Sequence, residues 1–204
     1  IENNIIIRLK DLISYGIKLF EDQGVKIENL KSELEILDFL KERMRNILKE
    51  KKIRNDIIEA SISSHLGDNY LDLFNKNVLI NRYINKDVGK NAISTYKRAS
   101  NIIESVKNKI NGRPDAVLFR QDEEKVLFEK INEIRKAFAV KDDKKNYENL
   151  LIQMSEIKPY TDNFFDNVKV NDENNDIKNN RLELLKMFCN TFNNFINFSK
   201  LEGL

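Results

Sequence analysis

The side chains that could act as catalysts are few, because this 204-residue chain has one histidine and one cysteine. His65 has no neighbouring nucleophile motif, and a lone general base makes little case for catalysis. Cys189 lies in the apolar stretch LLKMFCNTF, where a free thiol behaves as a small buried hydrophobe. We therefore predict no catalytic residue, with a small hydrolase built on His65 and nearby carboxylates as the alternative.

Patterns that bind metal ions are also missing from the sequence. One Cys and one His cannot build a zinc site from the chain's own side chains. The loop VNDENNDIK is rich in oxygen ligands, as Ca²⁺ sites are, but no Gly stands at its turn and no Glu closes a twelve-residue frame. The same loop suits helix capping by one of Asp172, Asn174, Asn175 or Asp176. We expect neither a metal ion nor a cofactor in this part of the protein.

Two segments are locally basic although the net charge of the chain is only +2. Residues 41–54 hold seven Lys or Arg against two Glu, and residues 97–113 hold five against one. Such asymmetry can position a polyanion, and the alternative is a solvated helix face. An aromatic ring beside these charges can stack on an unpaired base. Phe119, next to Arg120 in an expected loop, is the better placed ring.

The residues that we predict to contact RNA come from these segments. Lys97, Arg98 and Asn101 fall within one helical turn, so they can share one face. Arg43 is the next candidate, followed by Phe119 and Arg120. For Arg43 and Arg98 an intramolecular ion pair remains the alternative.

The elements that carry these residues are predicted to be helices. Gly (6) and Pro (2) are scarce, and apolar residues recur every three or four positions. The stripe of Ala92, Tyr96 and Ala99 marks one long helix, with Asp87 as its N-cap. We predict an all-α helical bundle in one domain over residues 1–204, in which residues 1–35 can be read as a lead-in from a preceding domain. Further stripes are Leu127, Ile131, Ile134 and Phe138; Leu150, Leu151 and Met154; and Leu185, Phe188, Phe192 and Phe195.

No part of the sequence indicates export or a membrane. No apolar run approaches the ~20 residues of a spanning helix, and charged residues interrupt the first thirteen positions, where a signal peptide is apolar. One cysteine fits a reducing compartment. We expect a cytoplasmic protein, and the first residue, Ile rather than Met, suggests a piece of a longer polypeptide.

The segment FFDNVKVNDENNDIKNNRLELLKMFCNTFNNFINFSKLEG resembles the C-terminal end of the β subunit of the bacterial-type, two-subunit glycyl-tRNA synthetase. That family has Phe-Phe-Asp-x-Val-x-Val, an acidic turn, Arg-x-Asn-Arg-Leu and a terminal Asp-Phe-Ser-Lys-Leu. Upstream, FLKERMRNIL, RNDIIEA, KRASNI and LFRQDEEKVLFEKI resemble its segments in the same order, so the resemblance runs from Phe39 to the end. Lys178 replaces the family's Arg, Asn197 its Asp, and Lys169 an apolar residue.

The resemblance implies an all-helical anticodon-binding domain similar to that of arginyl-tRNA synthetase. It further implies that the chain binds the anticodon arm of glycine tRNA, while the whole enzyme carries out the ligation with its α subunit, ATP and Mg²⁺. This part of the enzyme is expected to catalyse nothing alone. A helical scaffold that binds only protein, such as the α subunit, remains the alternative.

The C-terminal segment itself is predicted to be structural. Phe164, Phe165 and Val168 have the spacing of apolar anchors. We expect Arg181 to fix the corner before the last helix by pairing with a carboxylate such as Asp166. The RNA contacts are then expected on the basic helices upstream.

Overall fold

The structure, a computed structural model, describes residues 7–26, 32–63, 69–106, 110, 112–139 and 146–202. Regular structure within these ranges is helical, apart from one isolated antiparallel bridge between Arg8 and Asn69. The all-α prediction is therefore confirmed. His65, considered above as a general base, lies outside the described residues.

The helices of the described ranges are 8 to 19 residues long. They are α1 Leu9–Asp22, α2 Ser32–Glu50, α3 Asn55–Ile62, α4 Tyr70–Tyr83, α5 Asp87–Glu104, α6 Asp122–Ala139, α7 Tyr147–Glu156, α8 Lys158–Asn167 and α9 Asn175–Asn193. Two short 3₁₀ turns, Ala116–Leu118 and Phe198–Lys200, complete them.

The chain divides into two units, Ile1–Asn81 and Arg82–Leu204, with the boundary near the end of α4. The first unit holds α1 to α3 and most of α4, and the second holds α5 to α9. Residues 97–113, the second basic segment, belong to the second unit. The single domain over residues 1–204 stays a prediction.

In the first unit, α2 packs against both α1 and α3. Met44 and Leu48 on α2 and Ile57 on α3 are almost fully buried. Helix α1 differs, because none of its residues is buried and it exposes Leu12 and Phe20 by more than half. The described part of the first unit thus leaves much of the apolar surface of α1 exposed.

In the second unit, α9 packs against α5 and α6, and its predicted apolar stripe is buried. The Phe192 ring centroid lies 4.4 Å from that of Phe188, 5.2 Å from that of Phe198 and 6.1 Å from that of Tyr96. Tilted and edge-on rings at these distances attract one another beyond their area burial. Since Tyr96 points into this cluster, the residues just after it on α5 turn away from the core.

A close approach joins the end of α4 to the first turn of α5. A Cβ atom on Gly89 would lie 2.4 Å from the Tyr83 carbonyl oxygen and 2.6 Å from the Ile84 Cα. Both are backbone atoms, which cannot rotate away as a side chain can. Only glycine therefore permits this path of the chain, which sets where α5 begins.

The helix caps differ in part from those predicted. Asn174 is the N-cap of α9, because its side-chain oxygen accepts hydrogen bonds from the Asp176 and Ile177 amides. This confirms the capping role of the Asn/Asp loop. The prediction of Asp87 as N-cap of α5 is wrong, since the helix begins at Asp87 and Lys86 precedes it without a side-chain cap.

Candidate nucleic-acid interface

The outer face of α5 carries the three residues predicted to contact RNA there. Arg98 and Asn101 are exposed and Lys97 is half-buried, whereas Tyr96 and Ala99 are buried on the opposite side. The structure therefore brings the predicted trio to one accessible face. Their contact with RNA stays a prediction.

Arg98 is held by residues of α8. Its guanidinium carbon lies 4.4 Å from the centroid of the Phe165 ring, as in a cation–π contact. Its Nη1 is 3.6 Å from Asp162 Oδ1 and its Nη2 is 3.5 Å from Asp166 Oδ1. Long ion pairs at an exposed site contribute little to stability. The ring thus orients the guanidinium while the ion pairs leave it free to exchange partners.

A groove of about 830 Å³ runs along this side of the second unit, and we refer to it as the α5/α8 groove. Apolar and polar groups line it in similar measure, and Arg98 and Lys178 are its two cations. A groove that combines apolar side chains with cations can hold a base and contact the adjoining phosphates. The lining residues are Arg98, Ile102, Ser105, Val106, Phe165, Val168, Val170, Asn171, Lys178 and Leu182.

The predicted pairing of Arg181 with Asp166 is wrong. Arg181 is buried, and its Nε donates to Glu124 Oε1 at 2.9 Å while its Nη1 donates to Asp172 Oδ2 at 2.8 Å and to the Lys169 carbonyl at 2.9 Å. Asp166 instead faces Arg98 on the surface. The reason is geometric: Asp166 lies on the outward side of α8, whereas Arg181 points inward toward the start of α6. Arg181 keeps its structural role with other partners.

Glu124, the buried partner of Arg181, also caps α6. Its Oε2 accepts the amides of Arg120 at 2.8 Å and Gln121 at 2.9 Å. A Glu in the first turn that reaches back to the N-cap amide is one half of a capping box. Sequence reasoning missed this residue, although the acidic run DEE at the start of an apolar stripe is a signal for it.

Asn180 fixes the loop that precedes α6. Its Oδ1 accepts the Asp115 amide at 2.6 Å and its Nδ2 donates to the Asp115 carbonyl at 3.0 Å. Asn180 and Arg181 are adjacent on α9, so two neighbouring side chains hold the 113–121 loop and the 168–172 loop. The second of these loops forms part of the α5/α8 groove.

Phe119 and Arg120 do not form the exposed stacking site that the sequence predicted. Phe119 is only 7% exposed, and its ring meets that of Phe128 at 5.4 Å between centroids. Phe119 therefore belongs to the core. Arg120 is exposed, so its role in binding stays a prediction.

The first basic segment is partly neutralised within its own unit. Arg45 Nε donates to Glu59 Oε1 at 2.8 Å and Nη2 donates to Oε2 at 3.2 Å, which ties α2 to α3. Lys41 pairs with Asp38 at 2.9 Å. Arg43 is exposed on the same helix, and its contact with RNA stays a prediction.

Sequence reasoning missed most of the groove. Arg98, Ile102, Ser105 and Val106 share one face at positions i, i+4, i+7 and i+8, a spacing that the sequence does display. The contribution of Phe165 and of the loop after α8 had no such signal. The C-terminal segment interpreted as structural therefore lies directly beside Arg98.

Groups suited to catalysis are not prominent in the described residues. Burial raises the pKa of the Cys189 thiol to about 12, so it stays protonated and unreactive at neutral pH. No group of three or more His, Cys, Asp or Glu in the described ranges is placed to hold a metal ion. Among these same residues, no helix is both long and apolar enough to cross a bilayer.

One family model and several curated proteins match this chain. A family model described as the DALR anticodon binding domain matches residues 92–202. The glycine–tRNA ligase beta subunits of Rickettsia africae (strain ESF-5) and Rickettsia conorii (strain ATCC VR-613 / Malish 7) are both 35% identical over 201 residues, covering 98% of this chain and 28% of the relative. That of Sulfurihydrogenibium sp. (strain YO3AOP1) is 36% identical over 168 residues, covering 82% and 24%. The matched part spans about a quarter of the length of these curated relatives, 24% to 28%. The resemblance inferred from the sequence is confirmed.

Proposed function

Because this chain belongs to the DALR anticodon binding domain family, we propose that it binds the anticodon arm of glycine tRNA through the α5/α8 groove. The observation that carries the proposal is the extent of the family match, since residues 92–202 include every residue that lines the groove. The specificity for glycine tRNA follows from the names of the relatives.

The contacts we propose follow from the chemistry of the groove. The Arg98 guanidinium carbon lies 4.4 Å from the Phe165 ring centroid, so an unstacked base entering the groove would meet a planar guanidinium and an aromatic ring. Asn101, one turn further along α5, can donate to and accept from a base edge. Lys178 lines the groove and Lys97 precedes Arg98 on α5, and both would hold phosphates as point charges.

Asp162 and Asp166 give the groove a way to discriminate against weak ligands. In the free protein, Asp162 Oδ1 lies 3.6 Å from Arg98 Nη1 and Asp166 Oδ1 lies 3.5 Å from Arg98 Nη2. A bound RNA must offer Arg98 better partners than these exposed carboxylates. Because surface pairs of this kind are weak, a phosphate or a base acceptor can displace them at small cost.

In the intact protein, we propose that glycine–tRNA ligation takes place in the cytoplasm together with an α subunit, and that it uses ATP and Mg²⁺. To the described residues we assign the binding and orientation of tRNA.

A titration with labelled RNA tests the proposal. Glycine tRNA and the same tRNA with a changed anticodon are each titrated with the protein at several salt concentrations. We expect tighter binding to the natural anticodon and a steep loss of affinity with salt. Equal affinity for both RNAs would refute the anticodon assignment.

A second candidate function is a helical scaffold that binds protein rather than RNA. One observation favours it: the uncovered apolar residues of the first unit, including Leu12, Tyr15 and Phe20 on α1 and Phe39 on α2. Under this alternative the partner is the α subunit. Co-sedimentation with that subunit that persists at high salt, together with no measurable tRNA binding, would favour the scaffold.

A further inference from the structure

A second cleft of the unit Arg82–Leu204 lies on another face of α9. It encloses about 330 Å³ and is lined in part by Arg113 from the loop before α6, Arg135 from α6, and Glu183, Lys186 and Asn190 from α9. At 100° per residue, the α9 residues of this cleft lie roughly 130° around the helix from those of the α5/α8 groove. The two sites therefore face different directions.

The cleft has an excess of positive charge. Three of its lining residues are cationic, and Glu183 is its single carboxylate. Lys186 is partly engaged, since its Nζ donates to the Ile110 carbonyl. Arg113 and Arg135 are both exposed. The local potential thus favours an anion, even though the net charge of the whole chain is small.

The two arginines are poorly satisfied compared with others in the protein. Arg181 donates to two carboxylates, and Arg98 faces two. In the described part of the chain Arg135 meets only Asn132 Oδ1 at 3.5 Å and Met187 Sδ at 3.7 Å, both weak contacts for a guanidinium. Glu183 lines the same cleft, yet neither it nor Arg113 forms an ion pair within the described ranges.

We propose that this cleft binds a backbone phosphate of the tRNA, as a contact that does not depend on base sequence. The guanidinium fork of Arg135 matches a phosphate in a bidentate manner, and Arg113 approaches from the opposite loop. The amide of Asn190 adds a donor for a phosphate or ribose oxygen. Glu183 opposes the same phosphate and weakens its binding. The inference rests on the proposed function, because the ligand is the same RNA.

The test compares four single variants in the two-RNA titration described above. Arg135→Ala should lower the affinity for both RNAs by one common factor and reduce the slope of log affinity against log salt by about 1. Over the fourfold rise in salt from 50 to 200 mM, a slope change of about 1 alters the affinity by roughly fourfold. Arg135→Lys should keep the slope, because it keeps the charge. Lys136→Ala, which removes a neighbouring exposed cation of α6, is the matched control and should have a smaller effect.

Glu183→Gln is the fourth variant, and we expect it to change the RNA affinity in the opposite direction. It preserves the size of the side chain and removes the opposing charge, so it should tighten binding to both RNAs by a few fold. Misfolding cannot produce this gain. If Arg135→Ala and Lys136→Ala lower the affinity and the salt slope equally, and Glu183→Gln leaves the affinity unchanged, the cleft is not a phosphate site.

The outcome also separates this inference from the proposed function. If the natural anticodon is preferred but the cleft variants behave as the control does, the cleft inference fails and the anticodon assignment stands. If the cleft variants shift binding but both RNAs bind equally, the anticodon assignment fails and the cleft inference stands. If neither RNA binds, both the anticodon assignment and the cleft inference are overturned.

Discussion

Replacing Arg98 with alanine should weaken RNA binding while leaving the domain folded. The Arg98 side chain is 47% exposed, and its two ion pairs are 3.6 Å and 3.5 Å long. Exposed pairs contribute about 0.2–1 kcal/mol, and an exposed cation–π contact contributes about 0.5–1 kcal/mol. Together these contacts contribute about 1–3 kcal/mol. A melting curve should therefore shift by several degrees and still show a folded domain.

A loss in binding is expected as well, because the proposed base would enter the groove beside this guanidinium. Removing one charged hydrogen-bond donor should cost at least ~1 kcal/mol, or about fivefold in affinity. Arg98→Lys should fall between the wild type and Arg98→Ala, since lysine keeps the charge but loses the planar face over Phe165. Asp166→Asn should strengthen binding, because it removes a carboxylate that competes for Arg98.

The assay is fluorescence anisotropy with labelled glycine tRNA, run beside thermal denaturation of each variant. Lys90→Ala is the matched control, because it removes an exposed cation from the same helix two turns away. If Arg98→Ala melts the domain, or if its affinity equals that of Lys90→Ala, Arg98 is structural and the reasoning is wrong.

Three further predictions concern stability. Gly89→Ala should destabilise the protein by about 1–3 kcal/mol or more in a chemical denaturation curve, since a Cβ would lie 2.4 Å from the Tyr83 carbonyl oxygen; Gly16→Ala, in open space on α1, should instead be neutral or stabilising by up to ~1 kcal/mol. Arg181→Ala should cost about 3–5 kcal/mol because it leaves the fully buried Glu124 without its counter-charge, and an unchanged melting temperature would disprove that role. Hydrogen bonding from the Asn174 amide, with the nearby Arg181, holds the pKa of Asp172 below its ordinary value. The stability this provides is therefore full above the ordinary pKa of aspartate and is lost as the pH falls through the lowered one. Melting curves in that acid range should shift less for Asp172→Asn than for the wild type.

Much of the fold was predictable because helices follow from local periodicity. The stripes on α5, α6, α7 and α9 lie where three- and four-residue spacing placed them, and Phe188 and Phe192 are fully buried as expected. The outward direction of Lys97 and Arg98 followed from the same periodicity, since Tyr96 had to face inward. The capping role of the loop before α9 was equally local.

Partners distant in sequence were not predictable in this way. The carboxylates that pair with Arg181 are Glu124, 57 residues away, and Asp172, 9 residues away, whereas Asp166 pairs with Arg98. Phe119 was expected in an exposed loop beside Arg120, yet its ring packs on Phe128. In each case the packing of α6, α8 and α9 decided which neighbours a side chain meets.

The sequence by itself determined the helical class, the family resemblance and the exposed face of α5. These depend on residue type and on spacing within one helix. Only the tertiary structure decided that Phe165 lies beneath Arg98, that the loop after α8 completes the α5/α8 groove, and that Arg113 and Arg135 converge on one cleft. Each of these sites joins residues of different helices, and no periodicity within a single helix specifies how helices are placed against one another.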